Sequence, residues 1–317
     1  MDATTLTKQL PLTLTGTDFP ALGQKYRGKV RDTYRQGDRL VLITTDRLSA
    51  FDHILTTLPF KGDLLNQLAH FWFQKTAHVV KNHVLEMPDP CVTVARRADP
   101  FAIEFVVRAH LTGSLWRDYE AGRDPYALGL PPGLKKDHAF DAPLLTPSTK
   151  AQQGAHDEPI SAAQVVERGL ASARDWQRSS EAALALFAVG QEQAKARGLI
   201  LVDTKYEFGL IKDELFLIDE LHTPDSSRFW VADGWQQRFQ LGQPQVMLDK
   251  ENLRQWLILE RGFSGQGTPP QIPDEVRVSL AQTYVSVYER MTGQTFSAEV
   301  GDVSKRIENN LKRARLI

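Results

Sequence analysis

LILVDTKYEFGL, residues Leu199–Leu210, is the stretch from which the rest can be read. Written as a strand, with side chains alternating across the sheet, it places Val202, Thr204, Tyr206 and Phe208 on one face and Asp203, Lys205 and Glu207 on the other. One face is apolar enough to be buried; the other sets a cation between two acids. LFLIDEL (Leu215–Leu221) follows after a short IKDE connection and predicts an antiparallel hairpin. Register decides what the hairpin can do. A three-residue loop, Lys212–Glu214, sets Glu207 opposite Asp219 on one face, whereas a two-residue turn sends them to opposite faces unless a bulge intervenes. In the first case Asp203, Lys205, Glu207 and Asp219 converge, and the paired carboxylates suit a hard cation such as Mg²⁺. On spacing alone, a cross-strand salt-bridge ladder on an exposed face accounts for the row slightly better.

The chain around this stretch has 317 residues, enough for one large domain or two ordinary ones, with 42% hydrophobic and 24% charged residues. Its 38 Lys and Arg against 39 Asp and Glu leave a formal charge of -1. That excludes bulk attraction for nucleic acid or an anionic membrane, so any anion site must be local. One cysteine, Cys91, rules out an intrachain disulfide and a Cys-rich zinc site. No apolar run approaches a membrane span, and the N-terminus lacks a basic region followed by an apolar core. The expectation is a cytoplasmic globular protein.

Working outward, KYRGKVRDTYRQGDRLVLITTD (Lys25–Asp46) predicts two strands around the turn cluster RQGD. GDLLNQLAHFWFQKTAHVV predicts a helix from its apolar spacing. CVTVARRADPFAIEFVVRAHLTG predicts a strand, a break at Asp99–Pro100 and a second strand. Arg123 to Ala155 is rich in Gly, Pro and Asp and predicts extended loop. Ile160–Gly198 predicts strong helix stopped by Gly198, and Asp274 is the expected N-cap of a helix running to Gly293. The pattern is α+β in two lobes, with a hinge near Arg97–Pro100.

Local anion sites are easy to find. GKVRDTY (Gly28–Tyr34) puts Lys29 and Arg31 on one strand face after a glycine that permits close backbone approach. Ser148–Lys150 offers hydroxyls and a cation, and Ser226, Ser227 and Arg228 form a phosphate-like set in HTPDSSRFW. No GxxxxGK[ST], GxGxxG or GxSxG motif occurs. His110 and His156 give no sign of a catalytic triad.

In combination these motifs resemble the SAICAR synthetase family of purine biosynthesis, in its longer form. YRGKVRDTY, TTDRLSAFDHIL, VVRAHLTGSLWRDY, LTPSTKAQQGAHDEPIS, ILVDTKYEFGL and LIDELHTPDSSRFW follow in the family order. GQPQVMLDKENLRQWL, PPQIPDEV and YERMTG continue it to Gly293. Ala109 and His110 depart from the Gly and aromatic commoner in the family. The resemblance implies a two-lobed SAICAR synthase-like α+β fold with an ATP-grasp-like or kinase-like nucleotide cleft. Residues 1–97 would form a strand-rich lobe over ATP, and 98–317 a lobe with the metal and substrate sites ending in C-terminal helices. It implies ATP, carboxyaminoimidazole ribonucleotide (CAIR) and L-aspartate as substrates, Mg²⁺ as cofactor, and a monomer or small homo-oligomer.

The same resemblance implies residue roles. Gly28, Lys29 and Arg31 would lie over the ATP phosphates, Arg97, Ala98 and Phe101 in the hinge strand beside adenine, and Lys150 toward nucleotide. Glu207 and Asp219 would bind Mg²⁺. Asp203 and Lys205 would face the imidazole nucleotide and the reacting carboxylate. Arg108, Ser114, Ser226 and Arg228 would take the ribonucleotide phosphate and aspartate carboxylates, with Ser49 and Asp52 on the acceptor side. The family chemistry activates a carboxylate as an acyl phosphate, which calls for cations and positioning rather than a nucleophilic Cys or Ser.

Overall fold

The structure, a computed structural model, describes residues 1–150 and 157–317. His156 and the middle of the Thr146–Ser161 block, with the end of the stretch expected to be loop, lie outside the described residues. The chain opens with α1 (Ala3–Gln9), then β1 (Gln24–Arg27), β2 (Arg31–Gln36), β3 (Arg39–Thr44) and the hairpin β4 (Arg47–Ala50) and β5 (His53–Thr57). Next come α2 (Lys61–Lys75), β6 (Val84–Asp89), β7 (Val92–Arg96), the two-residue β8 (Asp99–Pro100) and β9 (Ile103–His110). The middle holds α3 (Gly113–Glu120), β10 (Ala139–Leu145), β11 (Ser148–Thr149), α4 (Ala162–Glu167) and α5 (Ala173–Ala196). The remainder is β12 (Leu199–Ile211), β13 (Glu214–Ile218), β14 (Ser227–Val231), α6 (Trp235–Leu241), α7 (Glu251–Arg261), α8 (Asp274–Thr292) and α9 (Val303–Arg313).

These form two main sheets, one ordered β1-β2-β3-β7-β6 and one built on β10-β9-β12-β13, with β14, β8 and β11 added at its flanks. The first sheet alternates cleanly. Tyr34, Val41, Ile43, Val92 and Val94 pack against Val303, Ile307 and Leu311 of α9, while Arg31, Leu42, Thr44 and Thr93 face α2 and the second sheet. The C-terminal helix therefore returns to the first sheet. Arg306 fixes it there, donating to Asp63 at 2.7 Å and to Asp89 at 3.0 and 3.1 Å. The buried Asp63, Asp89 and Cys91 cluster is thus a structural tie, its charge met by a guanidinium.

Several sequence expectations need correction. The break at Asp99–Pro100 is a short strand pairing with Gly209 and Leu210 of β12, so the breaks fall on either side of it, at Arg97–Ala98 and Phe101–Ala102. The supposed loop from Arg123 contains β10 and β11. The long helix is two, interrupted at Gly169, whose φ of 67 lies in the left-handed region; Gly198, also left-handed, follows the second. Asp274 is the first residue of α8, behind the N-cap Pro273. Lys29 is not on a strand: Gly28–Val30 is the tip between β1 and β2, where the Gly28 amide donates to the Arg31 carbonyl at 2.8 Å.

β12 organises the second sheet. Tyr206 and Phe208 enter the main apolar core, as the alternation requires, each burial contributing roughly 1.5–3 kcal/mol. Leu199 and Leu201 enter the same core, although strict alternation would put them with Asp203. The register shift against β14 between Leu201 and Asp203 re-phases the strand, so leucines and aromatics share one side. Farther along, Gly209 lets the hinge strand close in: a Cβ there would stand 2.8 Å from the Asp99 carbonyl oxygen and 3.0 Å from the Ala98 Cβ.

Gly209→Ala is expected to force the hinge off β12 and destabilise the protein by about 1–3 kcal/mol, the scale of overpacking. Urea unfolding measures it, and an unchanged midpoint would show that the hinge does not need this close approach.

Candidate functional site

The β12–β13 hairpin turns through two residues, Lys212 and Asp213, both left-handed at φ 50 and 65, and its register places Glu207 opposite Ile218. By the alternation rule this should separate Glu207 from Asp219. It does not, because Asp219 itself is left-handed, with φ 66, as the chain leaves β13. That single backbone reversal does the work of a bulge and turns its carboxylate to the Glu207 side. The Lys205 ammonium then sits 2.9 Å from Glu104, 3.0 Å from Glu207 and 3.8 Å from Asp219. Arg31 from the first sheet donates to Asp219, and Lys150 donates to the other oxygen of Glu207.

The electrostatics follow from this packing. Burial alone would favour neutral groups, but Arg31, Lys205 and Lys150 outweigh it at Asp219 and hold that carboxyl below its ordinary range. Burial likewise disfavours a charged Lys205, yet Glu207, Glu104 and Asp219 raise its pKa well above the usual lysine value. Glu104 moves the other way, raised by burial against the pull of Lys205. Lys205 is therefore a fixed cation and not a proton donor at neutral pH.

Beside this row lies a cavity of about 320 Å³ lined by Glu104, Arg108, Asp203, Lys205, Ser226 and Arg228, with Lys250 and Arg254 across it. Asp203 is its hub: one carboxylate oxygen accepts from Arg108 at 3.1 Å and from Arg228. Arg108 also donates to Thr146 at 2.8 Å and Ser114 at 3.1 Å. Behind Ser226, Asp225 accepts from Tyr284 at 2.6 Å and pairs with Lys61 at 2.7 Å and Lys250 at 3.6 Å. Asp249 caps the wall, its carboxylate accepting from the Phe229 and Glu251 amides, with burial pushing its pKa up to about 7.

Of the residues singled out in sequence, Lys205, Glu207, Asp219, Arg31 and Lys150 form one ion-pair cluster and Asp203, Arg108, Arg228 and Ser114 a second, while Lys205, Asp203, Arg108, Ser226 and Arg228 line the same cavity. Lys29 sits apart, paired with Asp52 at the tip of the β4–β5 hairpin, and Ser49 is buried on β4. Arg97 and Asp99 line an open cleft of about 1010 Å³ with Asn82, Leu210 and Phe216. The amide of Phe101 donates to the Phe208 carbonyl at 2.9 Å. Glu104, Lys61, Asp225, Lys250, Glu251 and Arg254 were not anticipated. Glu104 was findable, since period-2 alternation puts it on the Arg108 face of β9. Lys61 and Asp225 meet only through tertiary packing.

A family model described as SAICAR synthetase matches residues 24–268. A phosphoribosylaminoimidazole-succinocarboxamide synthase of Legionella pneumophila (strain Paris) is 44% identical over 312 residues, covering 96% of this chain and 99% of the relative. One of that name from Bacteroides thetaiotaomicron is 44% identical over 307 residues, covering 94% of this chain and 97% of the relative. Among solved structures, the SAICAR synthase from Saccharomyces cerevisiae complexed with SAICAR superposes with a TM-score of 0.79 at 32% identity, covering 90% of this chain and all (100%) of that one. A type-2 SAICAR synthetase in complex with ADP gives 0.67 at 25% identity, covering 87% and 100%.

Asp219→Asn keeps a residue that tolerates the left-handed region while removing the charge. The folded pKa of Asp219 lies below 3.8, so its stabilisation is present above that pH and lost as pH falls through the folded value. The variant is expected to be less stable at neutral pH and to lose stability less steeply below about pH 4. Urea midpoints against pH check this; parallel acid limbs in variant and wild type would contradict it.

Proposed function

The chain belongs to the SAICAR synthetase family, and from that premise we propose how its own side chains carry out the reaction. It is an ATP-dependent ligase of purine biosynthesis that joins L-aspartate to the carboxylate of CAIR, giving SAICAR, ADP and phosphate. The observation that carries the mechanism is the Lys205 ammonium, fixed among Glu104, Glu207 and Asp219 at the edge of a cavity that also holds Arg108, Arg228, Lys250 and Arg254, interleaved with acids.

A carboxylate is a poor acyl donor because its leaving group would be oxide. In the proposed path one CAIR carboxylate oxygen attacks the γ-phosphorus of ATP, the bond to the bridging oxygen breaks, and ADP leaves. The aspartate amine then attacks the acyl carbon, phosphate departs with the bridging oxygen, and the amine gives up its proton. Both steps crowd anions together, so a cation fixed beforehand stabilises the transition state more than the separated reactants. Lys205 is placed for that task. Arg108 and Arg228, oriented by Asp203, with Ser114 and Ser226, take the ribonucleotide phosphate and aspartate carboxylates; Asp203 also faces the imidazole.

Residues 1–97 form the proposed lobe over ATP, with Gly28, Lys29 and Arg31 toward its phosphates and Arg97, Ala98 and Phe101 along adenine. Residues 98–317 carry the metal and substrate sites, with α9 reaching back. Ser49 and Asp52 are assigned to the acceptor side, Asp52 holding Lys29 meanwhile. Mg²⁺ fits the carboxylate set, since Glu207 and Asp219 offer hard oxygen ligands with no sulfur or imidazole among them. When bound it supplies charge neutralisation to the phosphates and polarises the γ-phosphoryl group. Lys150 is 45% exposed, so its ammonium is free to exchange Glu207 for a phosphate oxygen.

Phosphate release from ATP with CAIR, with and without L-aspartate, tests the reaction itself; wild-type enzyme should need CAIR for release and form SAICAR only with aspartate. Lys205→Met should stay folded and retain most ATP affinity while turnover falls by roughly two to three orders of magnitude. Circular dichroism, ATP binding and steady-state rates on one preparation decide this, and near-normal turnover would return Lys205 to a charge-balancing role. Glu207→Gln is expected to fold but lose turnover even at saturating magnesium; full activity there would remove the metal assignment.

A further inference from the structure

The proposed ligation leaves one proton without a residue to take it. Aspartate reaches the enzyme at neutral pH mostly as an ammonium, which has no lone pair for attack on the acyl carbon. A group in the cavity has to remove that proton. Lys205 cannot, because it stays charged. The carboxylates around the cavity are already committed. Asp203 is held by Arg108 and Arg228, Asp249 by two backbone amides, and Glu251 by Arg254 at 3.3 Å. Asp225 accepts from Tyr284 at 2.6 Å on one oxygen and pairs with Lys61 at 2.7 Å through the other. Glu104 faces Lys205 at 2.9 Å, and a proton on it would remove part of the charge that matches Lys205.

Lys250 differs from all of these. It lines the cavity, its side chain is 12% exposed, and its ammonium lies 3.6 Å from Asp225, beyond hydrogen-bond distance. The Asp225 oxygen it faces is the one that accepts from Tyr284, and the fully buried Lys61 has the other. One negative charge therefore answers two ammoniums. Arg254 adds a further cation one turn along α7, and Lys250 is the N-cap of that helix, at the positive end of its dipole. On the acidic side stand Glu220 and, flanking Lys250 in the chain, Asp249 and Glu251. Burial lowers the Lys250 pKa below the ordinary lysine value; Asp225 and Glu220 pull it back, and Arg254 and Lys61 push it down. The Lys205 amide donates to the Ser226 carbonyl at 3.1 Å, so the two lysines look into one cavity with the Asp225–Ser226 turn between them.

We propose that Lys250, as the neutral amine, is the general base that deprotonates the ammonium of L-aspartate. The inference rests on the functional reading above, in which the acyl phosphate forms beside Lys205. The Lys250 lone pair takes one proton, the freed amine attacks the acyl carbon, and the bond from that carbon to the phosphate oxygen breaks. The second amine proton leaves with the departing phosphate. Lys250 then returns its proton to solvent through its partly exposed side chain.

Lys250→Arg and an aspartate analogue, aminooxysuccinate, test this. Arg keeps the positive charge facing Asp225 but cannot act as a base. The analogue keeps both carboxylates, and its amine is already neutral at pH 7. With aspartate the variant is expected to lose roughly two to four orders of magnitude in kcat, the scale of general acid–base catalysis, while the KM for ATP holds. Its residual rate should climb with pH as the free-amine fraction of aspartate does. With aminooxysuccinate, variant and wild type should turn over within a few-fold of each other. A near-normal kcat for aspartate in the variant would overturn the assignment. So would a loss that higher pH does not restore, or an equal loss with both nucleophiles, since either marks a role in charge or positioning. If Lys250→Arg does not fold, wild type decides: with aspartate kcat should rise with pH through an ionisation that is absent with aminooxysuccinate, and matching profiles would overturn the proposal. Wild type that forms no SAICAR from ATP, CAIR and aspartate would instead refute the functional reading.

Discussion

Everything in the site hangs on the burial of Lys205 among three carboxylates. Charges taken out of water must be matched closely or they cost several kcal/mol each. Here the matching groups come from different parts of the chain: Glu104 from β9, Glu207 from β12, Asp219 from the end of β13, with Arg31 of the first sheet closing on Asp219. The network therefore locks the two sheets in one relative position. It also sets a fixed cation beside carboxylate oxygens within a few ångströms, the arrangement that the proposed transfer of a phosphoryl group to a carboxylate calls for.

The second level of organisation is the handling of Asp203. Two arginines on one carboxylate oxygen leave their remaining guanidinium donors directed at Ser114, Thr146 and Glu251, and so partly committed. In the proposed mechanism Asp203 acts largely through the arginines it orients. Asp225 does the same for Lys61, Lys250 and Tyr284 behind the Ser226 loop, tying α2 and α8 to the pocket wall. Preorganised charge of this kind needs no rearrangement when the reactants arrive.

Much of this was legible in sequence, and the failures have definite causes. The polar row of β12 follows from alternation, and the hairpin from its turn residues. The convergence of Glu207 and Asp219 was not derivable, because the two-residue turn that occurs should have separated them and only the left-handed backbone at Asp219 restores it. Nothing in the residue type demands that conformation, although it is the one in which Asp219 meets Arg31 and Lys205. Likewise the packing of Leu199 and Leu201 with Tyr206 requires a bulge that pattern reading cannot place. The spacing of Lys29 and Arg31 predicts one strand face for both, but only Arg31 is on a strand, because Gly28–Val30 form the tip of a turn. Lys61 and Asp225, 164 positions apart by number, share no local pattern at all, so only the fold reveals them.

The central claim is that this cluster activates a carboxylate by phosphorylation. CAIR carrying ¹⁸O in its carboxylate tests it most directly. If the carboxylate oxygen attacks the γ-phosphorus, one labelled oxygen must leave with inorganic phosphate and the other must remain in the amide of SAICAR. Mass spectrometry of the released phosphate should therefore show one ¹⁸O per phosphate formed. Unlabelled phosphate from fully labelled CAIR would mean that the carboxylate is never phosphorylated, and would contradict the account.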